Sequence, residues 1–490
     1  MEWSEKMGEP SINVLTDAEI ELIHRSSLDI LEQVGAYLPF RETLDMLASA
    51  GADVDYGKNI ATFPSDLVEE CLRKAPSEVK LFARNPKFNA NLGSGKSYFA
   101  AGAGSTLLID METGECREAN TRDLVEMIKI VDALQHLHVN NEIVLPRDVP
   151  PEVSAQHMWA ALFKNTCKNC ELYLGEPDGV KDAIRMASAV VGGEEKLAKE
   201  PIIHFVACIG QPLTYEKSFL EGIVEAAKHK IPLFLDSGAA AGATGPATLA
   251  GTLALANAEI LSAITIAQLV SPGVPVIYAN WARAFDLKSE TTSFCGPEYA
   301  LMRIAAGQLA AQYNVPLAQG AFQADSKILD LQAAYEKYIG LISLLAGTDL
   351  IVGSGMLDAA SVVDPLNFII DDEIAASYSR IKKGLEVNEE TLALDVIKSV
   401  GPGPGHNFLG TEHTFKHFRK ETWLDYTIIE RRPRSIWTRD GSKDMKQRAL
   451  DKTRHILKTH EPEPLAREIQ AELHQIVKEA EARAVKKAIQ

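Results

Sequence analysis

The sequence predicts an α/β protein built on a closed (β/α)8 TIM-type barrel, with an N-terminal helical and β-hairpin extension and C-terminal helices. Two observations predict it. From about residue 120, short apolar β runs alternate with helix-like stretches, the rhythm of a parallel sheet. About eight such units fit into roughly 260 residues, which suits a closed barrel better than an open sheet. Composition agrees: 46% hydrophobic and 24% charged residues over 490 positions describe a globular, enzyme-sized chain with room for a large core.

Residues 1–120 read as the extension. Thr16 and Glu19 have the spacing of a capping box, and Ile20, Leu22, Ile23, Leu28, Ile30 and Leu31 behind them repeat at helical spacing. Residues 66–74 predict a second helix. KSYFAAGAGSTLLIDMETGECREA alternates apolar and small residues around Thr113-Gly114, which predicts a β-hairpin. Residues 121–440 read as the barrel, with strands at 139–145, 172–174, 202–208, 232–235, 274–279, 315–320, 350–353 and 368–370. Residues 441–490 form a charged helical tail. Its stripe of Leu465, Ile469, Leu473 and Ile476 is expected to pack on the barrel or on a neighbouring subunit.

Charge and cysteine content exclude several classes. A net charge of −17 argues against nonspecific binding to nucleic acid or to an anionic membrane. The six cysteines make no disulfide scaffold, and the Cys167–Cys170 CxxC pair has no second pair, so reduced thiols in a cytoplasmic protein are expected. The opening residues lack a basic segment followed by an apolar one, so no signal peptide is expected. The apolar run 249–269 is interrupted by Asn257, Glu259 and Gln268 and reads as a buried or interface helix, not a membrane span.

In a parallel barrel, chemistry is built at the carboxyl ends of the strands. The residues expected there are Asn140, Asn141, Glu142, Cys208, Asp236, Asn280, Trp281, Arg283, Phe322, Asp325, Ser354 and Asp371–Glu373. His406 and Phe408 stand in the rigid loop GPGPGHNFLG. Bland alternatives stand beside each. Trp281 and Phe322 also suit a plug in the barrel top, Asp325 a helix cap, and Asp371–Glu373 a helix start. Cys208, Cys295 and His406 match no short metal motif, and no metal is expected. GATGPATLAG, after the fourth strand, lacks the glycine spacing of a dinucleotide fingerprint and the Gly-Lys-Ser/Thr of a P-loop.

Several stretches together resemble the trimethylamine methyltransferase family: GATGPATLAGTLALANAEILSAITIAQLVSPGVPVIYA, AGAGSTLLIDMETGECREANTRDLVEMIKIVDAL, ADSKILDLQAAYEK, GPGPGHNFLGTEHTFKHFR and the nearby Trp437. The resemblance covers about residues 16–480. It implies a barrel that transfers a methyl group from an amine to the cobalt of a separate corrinoid protein, with no cofactor bound permanently. The founding members carry pyrrolysine, and this chain has no nonstandard residue. That departure points to the quaternary-amine branch, with glycine betaine as the single best substrate. Carnitine, proline betaine and γ-butyrobetaine are the alternatives, and self-association is expected. A quaternary ammonium favours aromatic faces. Trp281, Phe322 and Phe408 are the cage candidates, with Phe285 and Tyr173 behind them. Arg283, His406 and Asn280 are candidates for a betaine carboxylate, Glu142 and Asp325 for negative charge near the cation. Gly242 and Gly245 are expected to leave room for the corrin ring. Attack by Co(I) needs no general base, so no catalytic acid or base is assigned. A rival reading is a lyase or hydrolase using Asp325, Lys327 and His406; another is a betaine-binding subunit without catalysis.

Overall fold

The structure, a computed structural model, describes residues 10–489. The expectation about a signal peptide falls largely on residues outside that span. Eight parallel strands close into a barrel: β1 (Tyr98–Ala101), β2 (Val139–Asn141), β3 (Asn169–Tyr173), β4 (Ile203–Ile209), β5 (Leu233–Ser237), β6 (Val276–Asn280), β7 (Leu317–Gly320) and β8 (Leu350–Ser354). Strand β1 closes the ring, pairing with β8 on one side and β2 on the other.

Two expectations are corrected here. Residues 368–370 are not a strand; they lie in the helix Pro365–Lys382, which Asp364 caps and Pro365 opens. The missing strand is Tyr98–Ala101, inside the segment expected as extension, so the chain enters the barrel before residue 121. Three apolar residues do not distinguish strand from helix; the Asp364 cap, Pro365 at the first turn and an 18-residue span decide for helix. Asp371, Asp372 and Glu373 are anchors, not loop residues. Asp371 accepts from Gly355 N (2.8 Å), Asp372 from His136 N (2.7 Å), and Glu373 from Thr427 N (2.7 Å). The hairpin about Thr113-Gly114 forms, pairing Leu107–Ile109 with Cys116–Glu118.

The N-terminal helix Asp17–Gln33 starts at the Thr16–Glu19 capping box. It packs on Leu249–Val270, a helix long and apolar enough to cross a bilayer, of which 89% of the most apolar window is buried. Its polar residues find partners inside the protein, as buried polar groups must. Asn257 bonds Ser27, Tyr278 and Tyr313; Gln268 bonds Gly273 and Val274. The C-terminal helix Arg467–Ile489 buries Leu473, Ile476, Val477 and Ala480 against Ser154–Asn165 and Pro177–Val191. Flanking ion pairs join Arg185 to Glu479 (2.9 Å) and Lys487 to Glu176 (2.7 Å). Exposed pairs of this kind add little, so the apolar stripe holds the helix.

Candidate active site

Alternation along the strands decides which side chains enter the barrel. Val139, Val206, Phe234, Ile277, Ala279, Ala318, Leu350 and Val352 fill its interior, with Tyr173 and Trp281 packed against them. Cross-strand register carries that face to the mouth, aligning Cys208 of β4 with Asp236 of β5 and Asp236 with Ala279 of β6. Tyr173, Cys208, Asp236 and Trp281 therefore share the open, carboxyl end of the barrel, where ligands of this architecture bind.

Two glycines make room for them. A Cβ on Gly320 would lie 2.1 Å from the Trp281 ring, so the indole rests on bare backbone. A Cβ on Gly238 would lie 2.7 Å from Arg283 Nη1, so the guanidinium lies over the turn that follows Asp236. Phe294 meets Trp281 edge-on at 6.1 Å and sits 5.0 Å beneath Arg283.

The mouth holds polar atoms without protein partners. Among the described residues, Asp236 Oδ1, Trp281 Nε1, Arg283 Nε and Asn141 Oδ1 are closed off from solvent and find no hydrogen-bond partner, although the Cys208 thiol hydrogen-bonds the Asp236 carboxyl group. Among the described residues, Arg283 donates one side-chain hydrogen bond, from Nη1 to Trp281 O at 3.3 Å. Orphaned buried atoms are costly, and their gathering at a barrel mouth marks a ligand site. Burial pushes Asp236 up to about 8, with Arg283 and Arg303 pulling the other way. The Cys208 side chain opens onto the space of the mouth. The barrel wall around it still raises the thiol, and the Asp236 charge beside it raises it further.

Behind the mouth, Glu259 of the 249–270 helix accepts from Leu213 N (2.8 Å) and Ser237 Oγ (2.5 Å) and holds the end of β5. Burial pushes it up to about 7. Glu142 accepts from Trp159 Nε1 (2.6 Å) and Tyr173 N (3.0 Å), and burial pushes it too up to about 7. With Tyr173, Trp159 and Arg483 it lines a cleft of about 630 Å³ between the barrel end and the C-terminal helix. Below, His204 Nδ1–H donates to Asn169 Oδ1 (2.8 Å), and His204 Nε2 meets Glu171 Oε2 at 3.1 Å.

Of the expected site residues, Trp281, Arg283 and Glu142 stand at the barrel end. Tyr173, Cys208 and Asp236 join them there, whereas Phe322, Asn280, Asp325, His406 and Phe408 do not. Phe322 is fully buried, stacked on Phe99 at 5.4 Å and tilted against Tyr378. Asn280 faces outward, where its oxygens receive Arg303 and its side chain accepts from Ala282 N (3.0 Å). Asp325 accepts from Phe294 N (3.0 Å) and Ser293 Oγ (2.5 Å), bracing the loop before the helix Pro297–Tyr313. His406 Nδ1–H donates to Val400 O (2.6 Å), ending a short helix in an exposed loop, and Phe408 is 44% exposed in that loop. The lyase trio of Asp325, Lys327 and His406 does not converge, since Lys327 pairs with Asp358. Cys208, Cys295 and His406 likewise stay apart. Cys295, Asp325 and Glu336 do cluster within 4.8 Å, but N–H and O–H donors already occupy both carboxylates.

Gly242 has φ +88°, a conformation that favours glycine. A Cβ on Gly245 would lie 2.8 Å from Thr252 Oγ1. Both glycines thus have local reasons to be there, and the loop around them is a largely exposed rim of small residues.

Sequence reasoning puts Asp236 and Cys208 at strand ends but gives neither a role in binding. The signal that finds them is inward parity: each lies two residues after an inward apolar residue, Phe234 and Val206.

Residues 3–484 match the family model described as trimethylamine methyltransferase (MTTB). The chain is 35% identical over 469 residues to trimethylamine methyltransferase MttB of Desulfitobacterium hafniense (strain DSM 10664 / DCB-2), covering 95% of this chain and 93% of the relative. It is 32% identical over 474 residues to glycine betaine methyltransferase of Desulfitobacterium hafniense (strain Y51), covering 96% and 97%. Among solved structures, monomethylamine methyltransferase (MtmB) of Methanosarcina barkeri aligns at a TM-score of 0.48 and 12% identity, over 83% of this chain and 92% of that one.

Proposed function

The chain belongs to the trimethylamine methyltransferase family and is an amine methyltransferase, and we propose that it moves a methyl group from a quaternary amine, glycine betaine first, to the Co(I) of a separate corrinoid protein. The observation that carries this is the mouth itself: Trp281 and Tyr173 face inward at the open end of the barrel, beside Asp236 and Arg283. An aromatic face attracts a methylated ammonium by about 0.5–2 kcal/mol.

The chemistry asks little of the chain beyond positioning. The C–N bond breaks with its electron pair staying on nitrogen, which leaves as a neutral tertiary amine, and the Co(I) pair forms the new bond to the methyl carbon. No proton moves in the transfer step, so no general base is needed. Holding the ammonium in line with the acceptor and excluding water supplies several kcal/mol of the barrier. Arg283 serves the betaine carboxylate, and the exposed small-residue rim at 242–247 leaves room for the corrin ring. The acceptor corrinoid is the partner's, so this chain is expected to purify colourless, in the cytoplasm, and to self-associate.

A second substrate, trimethylamine, is favoured by the name of the relative at 35% identity. The test is anaerobic methylation of Co(I), followed by visible absorbance, with glycine betaine, carnitine, proline betaine, γ-butyrobetaine and trimethylamine each offered separately. Methyl-Co(III) formed with a betaine and not with trimethylamine supports the proposal. No methylation by any of them, with a competent corrinoid partner present, overturns it.

A further inference from the structure

We propose that Asp236 and Arg283 form a two-charge subsite that selects a zwitterion: Asp236 faces the methylated ammonium and Arg283 binds the carboxylate of the same molecule. The inference rests on the methyl-transfer reading above and deepens it to a substrate class.

The geometry favours a ligand carrying both charges. Asp236 and Arg283 lie near enough to feel one another's charge, yet neither makes an ion pair with the other or with any described residue. Ionisable groups withdrawn from water are normally paired or neutralised, because an isolated charge there is costly. Here the chain holds them apart. Arg283 is drawn over Gly238 by its bond to Trp281 O and by the Phe294 ring beneath it. Its backbone is fixed by Arg283 N donating to Ala239 O at 3.0 Å. Asp236 is fixed by the register of β5 between Cys208 and Ala279. A bare cation would satisfy Asp236 and leave Arg283 orphaned; a simple carboxylate would do the reverse. A betaine satisfies both while its methyl groups meet Trp281.

A proton accompanies binding. The groups facing Asp236 are Cys208 of β4, Tyr173 of β3, Arg283, Arg303 of the helix Pro297–Tyr313 and Glu259 of the helix Leu249–Val270. Burial outweighs the two arginines and holds Asp236 at about 8, so the empty site is mostly protonated at neutral pH. An ammonium placed against the carboxylate favours its ionised form, so roughly one proton leaves per ligand bound at pH 7.

Calorimetric titration of the purified chain tests this with three probes: glycine betaine, tetramethylammonium, and 3,3-dimethylbutanoate, the uncharged-carbon analogue of betaine. The expected result is glycine betaine binding more than about tenfold tighter than either single-charge probe, with proton release seen across buffers of different ionisation enthalpy. Asp236→Asn should erase the preference for betaine over 3,3-dimethylbutanoate and abolish proton release. Arg283→Gln should erase the preference for betaine over tetramethylammonium. Equal binding of betaine and tetramethylammonium by the wild type, or no proton release, overturns the proposal even if neither variant folds. Failure of the methyl-transfer reading looks different: betaine binds with both preferences and proton release, but no methyl reaches Co(I).

Discussion

Glu259 offers a sharp test of how the helix behind the mouth supports it. Its carboxylate is fully buried and accepts from Leu213 N–H and Ser237 O–H. Glu259→Leu keeps a similar volume, so packing changes little, but both donors lose their acceptor. Each buried donor left unsatisfied costs about 1–3 kcal/mol, so the variant should lose about 2–6 kcal/mol. Unfolding entropy of about 2.1 cal/mol/K per residue over 490 residues gives about 1 kcal/mol/K, so Tm should fall by about 2–6 °C. Glu259→Gln keeps an acceptor for Leu213 N–H, and its amide can donate to a rotated Ser237 hydroxyl, so its loss near pH 7 should stay within about 1 °C. Because Ser237 adjoins Asp236, the Leu variant should also raise KM for the amine, and the Gln variant should not. Differential scanning calorimetry at one scan rate, paired with Co(I) methylation kinetics, reads both. A Leu variant as stable as wild type, or a Gln variant as damaged as Leu, would refute the account of Glu259 as a neutral-tolerant acceptor.

Three further outcomes are expected. Gly320→Ala puts a Cβ 2.1 Å from the Trp281 ring and must displace the indole, so amine affinity should fall by about two- to thirtyfold, the value of one cation–π contact, as read by calorimetric titration. The contribution of Glu259 to stability should fall as pH rises from about 4 to about 7. Burial holds Glu259 at about 7 against an unfolded value near 4.3, so the folded state binds the extra proton in that window and the advantage is lost above it. That single group accounts for about 3–4 kcal/mol, so Tm of Glu259→Gln should gain on wild type between pH 5 and pH 8, and parallel Tm profiles would contradict it. Ala243→Trp, on the exposed rim, should raise KM for the proposed corrinoid partner while leaving binding of the proposed betaine substrate unchanged; an unchanged partner KM would remove that rim from the docking path.

Much of the barrel was legible because its strands alternate with helices and end at turn residues. Seven of its strands overlap the runs read from sequence; the eighth did not, since Tyr98–Ala101 is short and precedes a true hairpin, so local pattern assigned it to the hairpin. Its partners, β8 and β2, are about 250 and 40 residues away, and only closure of the ring identifies it. The site was legible in part for the same reason. Trp281 and Arg283 follow β6 directly and could be placed by strand ends alone. Phe322 sits just after β7 in the same way, yet its ring turns outward onto Phe99, and nothing local distinguishes the two.

By itself the sequence determined what depends on near neighbours: the helix caps, the alternating elements, a barrel-sized count of strands, and polar residues in 249–270 that argue against a lipid face. Only the tertiary structure decided which strand closes the barrel, that Asp371–Glu373 anchor loops, and that Asp236 and Arg283 face the mouth unpaired. Those outcomes depend on register and on what lies across the barrel. A change of one residue in register turns a side chain from the mouth to the outer helices, and one residue is finer than sequence pattern resolves.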